Sequence, residues 1–273
     1  MSTATMVPRM LPNVLPGFRM VWREQRRALL YWSASLSAIT LFYMAFWPVM
    51  GAEMMAAIEG MPEALMRAFG YDRVGTAAGY MEAVIYALIG PALALIYAIG
   101  LGGRILAGQE EDGSLELDLA APISRQRLYW ERYAAGWLLL SLLVASATLA
   151  ALVSGPLFDL NIASRLILAT SFGLWLLTGG FFSIAFALGA ISGRRAVGVG
   201  SAAALATLAF VFRGVADAAG VELLATLSPL SWLLNHEPLV NGLPPVEALK
   251  LALLSLLSAP LGLLGFQGRD LLR

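Results

Sequence analysis

The chain has no cysteine, one histidine and one lysine among 273 residues. Without cysteine there is neither a disulfide framework nor a thiolate metal site. A zinc centre usually draws on several histidine or cysteine ligands, and His236 stands alone. A Ser-His-Asp site would have to use that same histidine, with no nucleophile-elbow motif to support it. Glu110-Glu111 lack the second histidine that an intramembrane protease of the glutamate–histidine type would need. Lys250, in Leu249-Lys250-Leu251, follows no glycine-rich run, so the chain has no P-loop for ATP. Charge is scarce as well: 13% of residues, 18 basic against 18 acidic, with no basic excess to suggest nucleic acid. No residue is therefore a candidate for catalysis, cofactor binding or metal binding.

Apolar sequence is abundant. Hydrophobic residues make up 59% of the chain, whereas soluble domains run at about 45–50%. Such an excess needs lipid as solvent. Only helices and closed barrels satisfy their backbone hydrogen bonds in lipid, and the strict alternation of a barrel strand is missing. Charge-free runs long enough to cross a bilayer as helix cover 28–52, 83–103, 133–158, 166–193, 196–212 and 251–268. The run 223–235 is too short to span, contains Pro229, and reads as a re-entrant or interfacial segment. The whole chain, 1–273, reads as one transmembrane domain.

Six spans put both termini on one side, and thirteen of the 18 basic residues then share that side. The positive-inside rule makes it the cytoplasm. Residues 1–27 carry Arg9, Arg19, Arg23, Arg26 and Arg27 and no short apolar core with a cleavage site, so they are not read as a secretory signal. Arg19, Trp22, Arg23, Arg26 and Arg27 suit an interfacial helix ahead of the first span; snorkelling flanks would look the same. Arg213 and Asp217, four apart, can pair on one helix face. All eleven methionines fall within residues 1–81. Soft thioethers can hold Cu(I), but with no cysteine or convergent histidine they read as adaptable apolar filler.

The loop between the second and third runs is the least passive connector. Glu110, Glu111 and Asp112 precede Gly113; Leu115, Leu117 and Leu119 alternate with polar residues; Pro122 punctuates. Ser124 is positioned to cap a helix starting near Arg125. The pattern fits a docking surface for a cytoplasmic partner, and fits equally a solvated loop whose acids balance nearby arginines.

The order Glu111-Asp112-Gly113-Ser114-Leu115-Glu116, then Pro122, Ser124 and Arg125, resembles the ABC-2 type permease family, which carries such a run between its second and third spans. Arg19 to Arg27 resemble its N-terminal elbow. Met61-Pro62-Glu63-Ala64-Leu65, Ser228-Pro229, Glu237-Pro238 and Gly268-Arg269-Asp270-Leu271 are similar to a bacterial branch of it. The resemblance implies an all-α membrane protein of six transmembrane helices. It adds an interfacial elbow helix, a cytoplasmic coupling helix between spans 2 and 3, and re-entrant helices between spans 5 and 6. It implies a non-catalytic permease subunit of an ATP-driven exporter in a bacterial cell membrane. Two ABC ATPase subunits would supply ATP and Mg, and a second permease half, by default an identical copy, would complete the path. Glu110, Glu111, Asp112, Gly113, Ser114, Leu115, Glu116, Ser124 and Arg125 become the expected ATPase-coupling residues. Phe42, Phe46, Phe181 and Phe182 are candidates to line a cavity for hydrophobic or amphipathic cargo. An anchoring or signalling subunit that moves nothing could use the same loop, and an ion-gradient carrier would need no ATPase.

Overall fold

A computed structural model describes residues 16–58, 75–113 and 124–269. It contains six helices long and apolar enough to cross a membrane: Gly17–Gly51, Ala77–Glu111, Arg125–Leu157, Ser164–Ser192, Arg195–Ala219 and Pro245–Gly268, hereafter spans 1 to 6. Among the described residues there is no strand. Each apolar run of the sequence lies within or largely within one span. The helices extend past those runs because helical hydrogen bonding does not stop where charge begins. Span 3 thus starts at Arg125, where Ser124 Oγ accepts the Arg127 amide at 3.2 Å, well ahead of the apolar run at 133.

Span 1 is continuous from Pro16 to Ala45, so the elbow residues occupy its first turns rather than a separate helix. A bend at Phe46 precedes the helix Trp47–Ile58. Pro48 has no amide to donate and its ring crowds the carbonyl four residues back, so Phe46 bonds instead to the Tyr43 carbonyl, three back, at 3.2 Å. Span 2 is irregular at both ends, with π-helical turns at Glu82–Ile89 and Arg104–Gly108. The first runs up to Gly90-Pro91, where the missing proline amide disturbs the α ladder and Gly90 N–H reaches the Ile85 carbonyl, five back.

Span 4 is the hub. It packs against spans 2, 3, 5 and 6, while span 1 lies mainly along span 3. In lipid, close van der Waals packing drives helix association, and small residues permit it. Gly136 leaves room for the Phe182 ring, Gly179 for the Trp137 ring, and Gly102 for the Phe182 carbonyl. Two buried cores stack along the bundle. One centres on Tyr86, Leu174, Leu177 and Leu233, the other on Tyr129, Leu139, Phe186 and Phe266.

Between spans 5 and 6 the chain forms three short helices, Glu222–Leu227, Pro229–Leu234 and Pro238–Asn241. Leu230, Leu233 and Leu234 are buried. Ser228 caps the second helix and donates its hydroxyl to the Ala209 carbonyl of span 5 at 2.7 Å. The segment 223–235 therefore does not cross: Pro229–Leu234 packs into the bundle, while no residue of Glu222–Leu227 is buried.

Candidate functional site

The arginine-rich ends of the spans converge on three consecutive residues at the end of span 2. Gln109 Nε2 donates to Glu24 of span 1 at 2.9 Å. Glu110 receives both guanidinium nitrogens of Arg269, just past span 6, at 2.8 and 2.6 Å. Glu111 accepts the Arg195 backbone amide at 2.9 Å, at the start of span 5. On a helix, successive residues diverge by about 100°, so adjacent side chains reach three different neighbours.

Span 3 joins the same face. Arg132 is fully buried and donates to the Ile105 carbonyl at 3.0 Å, inside the second π-helical stretch. Glu131, also buried, accepts the Gly17 amide at 3.1 Å and pairs with Arg127 at 2.7 Å. Arg125 donates to the Arg269 carbonyl at 2.8 Å. Buried charges persist only when paired and hydrogen-bonded; Glu131 has Arg127 and Glu110 has Arg269, while the buried Arg132 guanidinium donates to a main-chain carbonyl.

This geometry separates the three loop acids expected to face a partner. The Glu110 side chain is 6% exposed and held by Arg269. Glu111 accepts the first amide of span 5, where a helix start has unpaired donors and favours negative charge. Asp112 and Gly113 are exposed. Ser114, Leu115, Glu116 and Pro122, and with them any coupling helix, lie outside the described residues, as do Met61–Leu65. Ser124 and Arg125 begin span 3 beside Arg269. In span 1, Arg19, Trp22, Arg23, Arg26 and Arg27 are exposed, and four of them border an open groove.

The cavity candidates divide as well. Phe181 and Phe182 are buried within the chain, because span 4 is surrounded and both directions lead into packed neighbours. Phe182 stacks on Tyr133 and Phe186, with centroids 5.6 and 5.8 Å apart. Phe42 and Phe46 are exposed on span 1 and lie edge to face at 5.0 Å.

The family profile described as "ABC-2 family transporter protein" matches residues 20–261. The chain belongs to that ABC-2 family. Its match runs from the first turns of span 1 into span 6 and so takes in the whole bundle just described. The ABC-2 protein is therefore a multi-pass membrane permease subunit of an ABC transporter, in a family whose members are generally non-catalytic and associate with ABC ATPase subunits. No curated protein matches the chain.

Some residues of this face had escaped the sequence reading. Glu131 and Arg132 lie just ahead of the third apolar run, and no motif singles them out. Their signal was an acidic–basic pair set inside Tyr129-Trp130-Glu131-Arg132-Tyr133, between one ring that is buried, Tyr129, and one partly buried, Tyr133. At the opposite end Glu82, an isolated acid ahead of a long apolar run, accepts the Leu239 amide at 3.2 Å. There the only histidine and only lysine meet on one carboxylate. Glu247 Oε1 lies 2.9 Å from Lys250 Nζ and 3.8 Å from His236 Nε2. Arg213 and Asp217 pair at 3.5 Å.

Proposed function

We propose that the chain is one half of an ATP-driven exporter in a bacterial cell membrane, with both termini cytoplasmic and a second, identical copy completing the path. Separate ATPase subunits carry the ATP and Mg, and they dock on the arginine-rich face, where the sequence between Gly113 and Ser124 acts as the coupling helix and the first turns of span 1 as the elbow. The observation that carries this reading is the family match together with that face. The two helix ends flanking 114–123 are wired there to spans 1, 5 and 6, so a push on either stem has a path into the bundle. Two packed arrangements of the spans would then alternate as ATP binds and is hydrolysed.

The cargo is hydrophobic or amphipathic: a drug, antibiotic or lipid-like molecule. Support for that class rests on Phe42 and Phe46, which present aromatic surface at 59% and 45% exposure on span 1. Among the described loop acids, exposed Asp112 is the one assigned to meet a basic surface on the ATPase.

The test is purification from the native host in mild detergent, with identification of co-purifying chains and measurement of ATP hydrolysis. A P-loop protein is expected to accompany the chain. Asp112→Lys is expected to weaken that association about fivefold, the scale of one exposed ion pair worth roughly 1 kcal/mol, without lowering thermal stability. A preparation free of ATPase activity, even after crosslinking, would overturn the reading in favour of an anchoring subunit or an ion-driven carrier.

A further inference from the structure

We propose that Arg269 is a positioning residue that sets the spacing of the two helical stems at the arginine-rich face and makes span 6 move with them. The stems are Gln109–Glu111, which ends span 2, and Arg125 onward, which begins span 3. Arg269 lies 159 residues from Glu110 and 144 from Arg125, yet it holds both.

It holds them in opposite senses. The guanidinium donates two nearly parallel bonds to the Glu110 carboxylate, at 2.8 and 2.6 Å. A bidentate fork fixes orientation as well as distance, which a single ammonium cannot do. The main-chain carbonyl of the same residue accepts from Arg125 at 2.8 Å. That carbonyl caps the end of span 6, where unpaired acceptors and the helix dipole favour a cation. One residue thus grips the first stem with its side chain and the second with its backbone.

A second, independent feature is the shape of the end of span 4. Gly193 closes that helix at φ +67°, in the left-handed region. A Cβ there would collide with the Arg269 guanidinium. Span 4 therefore leaves both a backbone turn and a space that suit this fork.

The stem is also built to move as a unit. Gln109 and Glu111 tie it to spans 1 and 5, and the π-helical turn Arg104–Gly108 immediately precedes it. Such turns interrupt the regular α hydrogen-bond ladder and are frequent at functional sites. Displacement of the stem would flex span 2 there and draw on span 6 through Arg269. The proposal rests on the permease reading only for the source of the force.

Because the chain has no cysteine, spin labels at Asp112→Cys and Gln126→Cys, both exposed, report the stem-to-stem distance in the full chain in lipid nanodiscs. Wild type is expected to give one narrow distribution. Arg269→Gln and Glu110→Gln should each broaden it about twofold as the fork's geometry is lost. Gly193→Ala should broaden it with both charges intact. The swap Glu110→Arg with Arg269→Glu should restore it, and Arg269→Lys should restore it only in part. An unchanged distribution in Arg269→Gln, or a swap that folds with wild-type thermal stability yet stays broad, would overturn the proposal. These distances need no ATPase. If no ATPase co-purifies, the exporter reading falls while the distances still decide the role of Arg269. In a complex that does hydrolyse ATP, Arg269→Gln is expected to cut transport per ATP several-fold while hydrolysis continues, and an unchanged ratio would count against it.

Discussion

Three carboxylates perform the same task in different places. Glu131 receives the amide of Gly17, Glu111 that of Arg195, and Glu82 that of Leu239. Each amide lies at or near a helix start, where no intrahelical acceptor exists, and each acid comes from a helix other than the one whose amide it receives. At a membrane boundary an unsatisfied donor is costly, so a capping acid also fixes which helices lie side by side. Small residues do the complementary work within the bundle. At Gly262 a Cβ would come within 2.5 Å of the Tyr129 hydroxyl and 2.7 Å of Ala187 Cα, whereas at Gly100 nothing lies within 4 Å. Gly262→Ala is expected to destabilise the protein by about 1–3 kcal/mol, as overpacking does. Gly100→Ala should leave the detergent melting temperature unchanged or raise it, since alanine suits helix better than glycine. Thermal unfolding of the two variants side by side checks the pair.

Among the elements, span 2 departs furthest from regularity. Its π-helical stretch Glu82–Ile89 holds extra residue length in the helix. Deleting Ala87 should therefore let the stretch relax to α-helix while the packing on either side is kept. Deleting Leu95 from the regular stretch Gly90–Gly103 should rotate one end by about 100° and turn buried Tyr97 and Ala98 out of the core. The first deletion is expected to yield monodisperse protein within a few degrees of wild-type stability by the usual stability–temperature scaling, the second to aggregate. Size-exclusion profiles of the two distinguish them. Were both to aggregate, the irregular stretch would be packed as tightly as the rest and would not store removable length.

The molecule as a whole has two unlike ends. One carries most of the described arginines, the starts of spans 1, 3 and 5, and the network around Glu110. The other carries the three short helices, the Glu82 cap and the His236–Glu247–Lys250 cluster. Their separation by the spans makes sidedness directly measurable in a cysteine-free chain. Glu237→Cys is expected to react with a membrane-impermeant maleimide in intact cells. Asp112→Cys should react only after permeabilisation, with at least a tenfold difference in labelling, on the order expected when a closed bilayer separates reagent from thiol. Reaction of both in intact cells, or the reverse order, would refute the proposed orientation.

The spans were legible in the amino-acid order because they follow from local chemistry: lipid demands uninterrupted apolar helix. Ser124 was legible as a cap for the same reason, since capping acts within three residues. Family membership was readable from motif order, and the profile match over residues 20–261 agrees. What could not be read was how distant residues meet. Glu110 looked like one of three equivalent surface acids, but span 6 brings Arg269 onto it and leaves its side chain 6% exposed. Phe181 and Phe182 looked like free aromatic surface, but span 4 packs against spans 2, 3, 5 and 6, and both rings lie within that packing while Phe172 of the same helix stays exposed. Which helix occupies the middle depends on packing among all six at once, and no window of sequence contains that information.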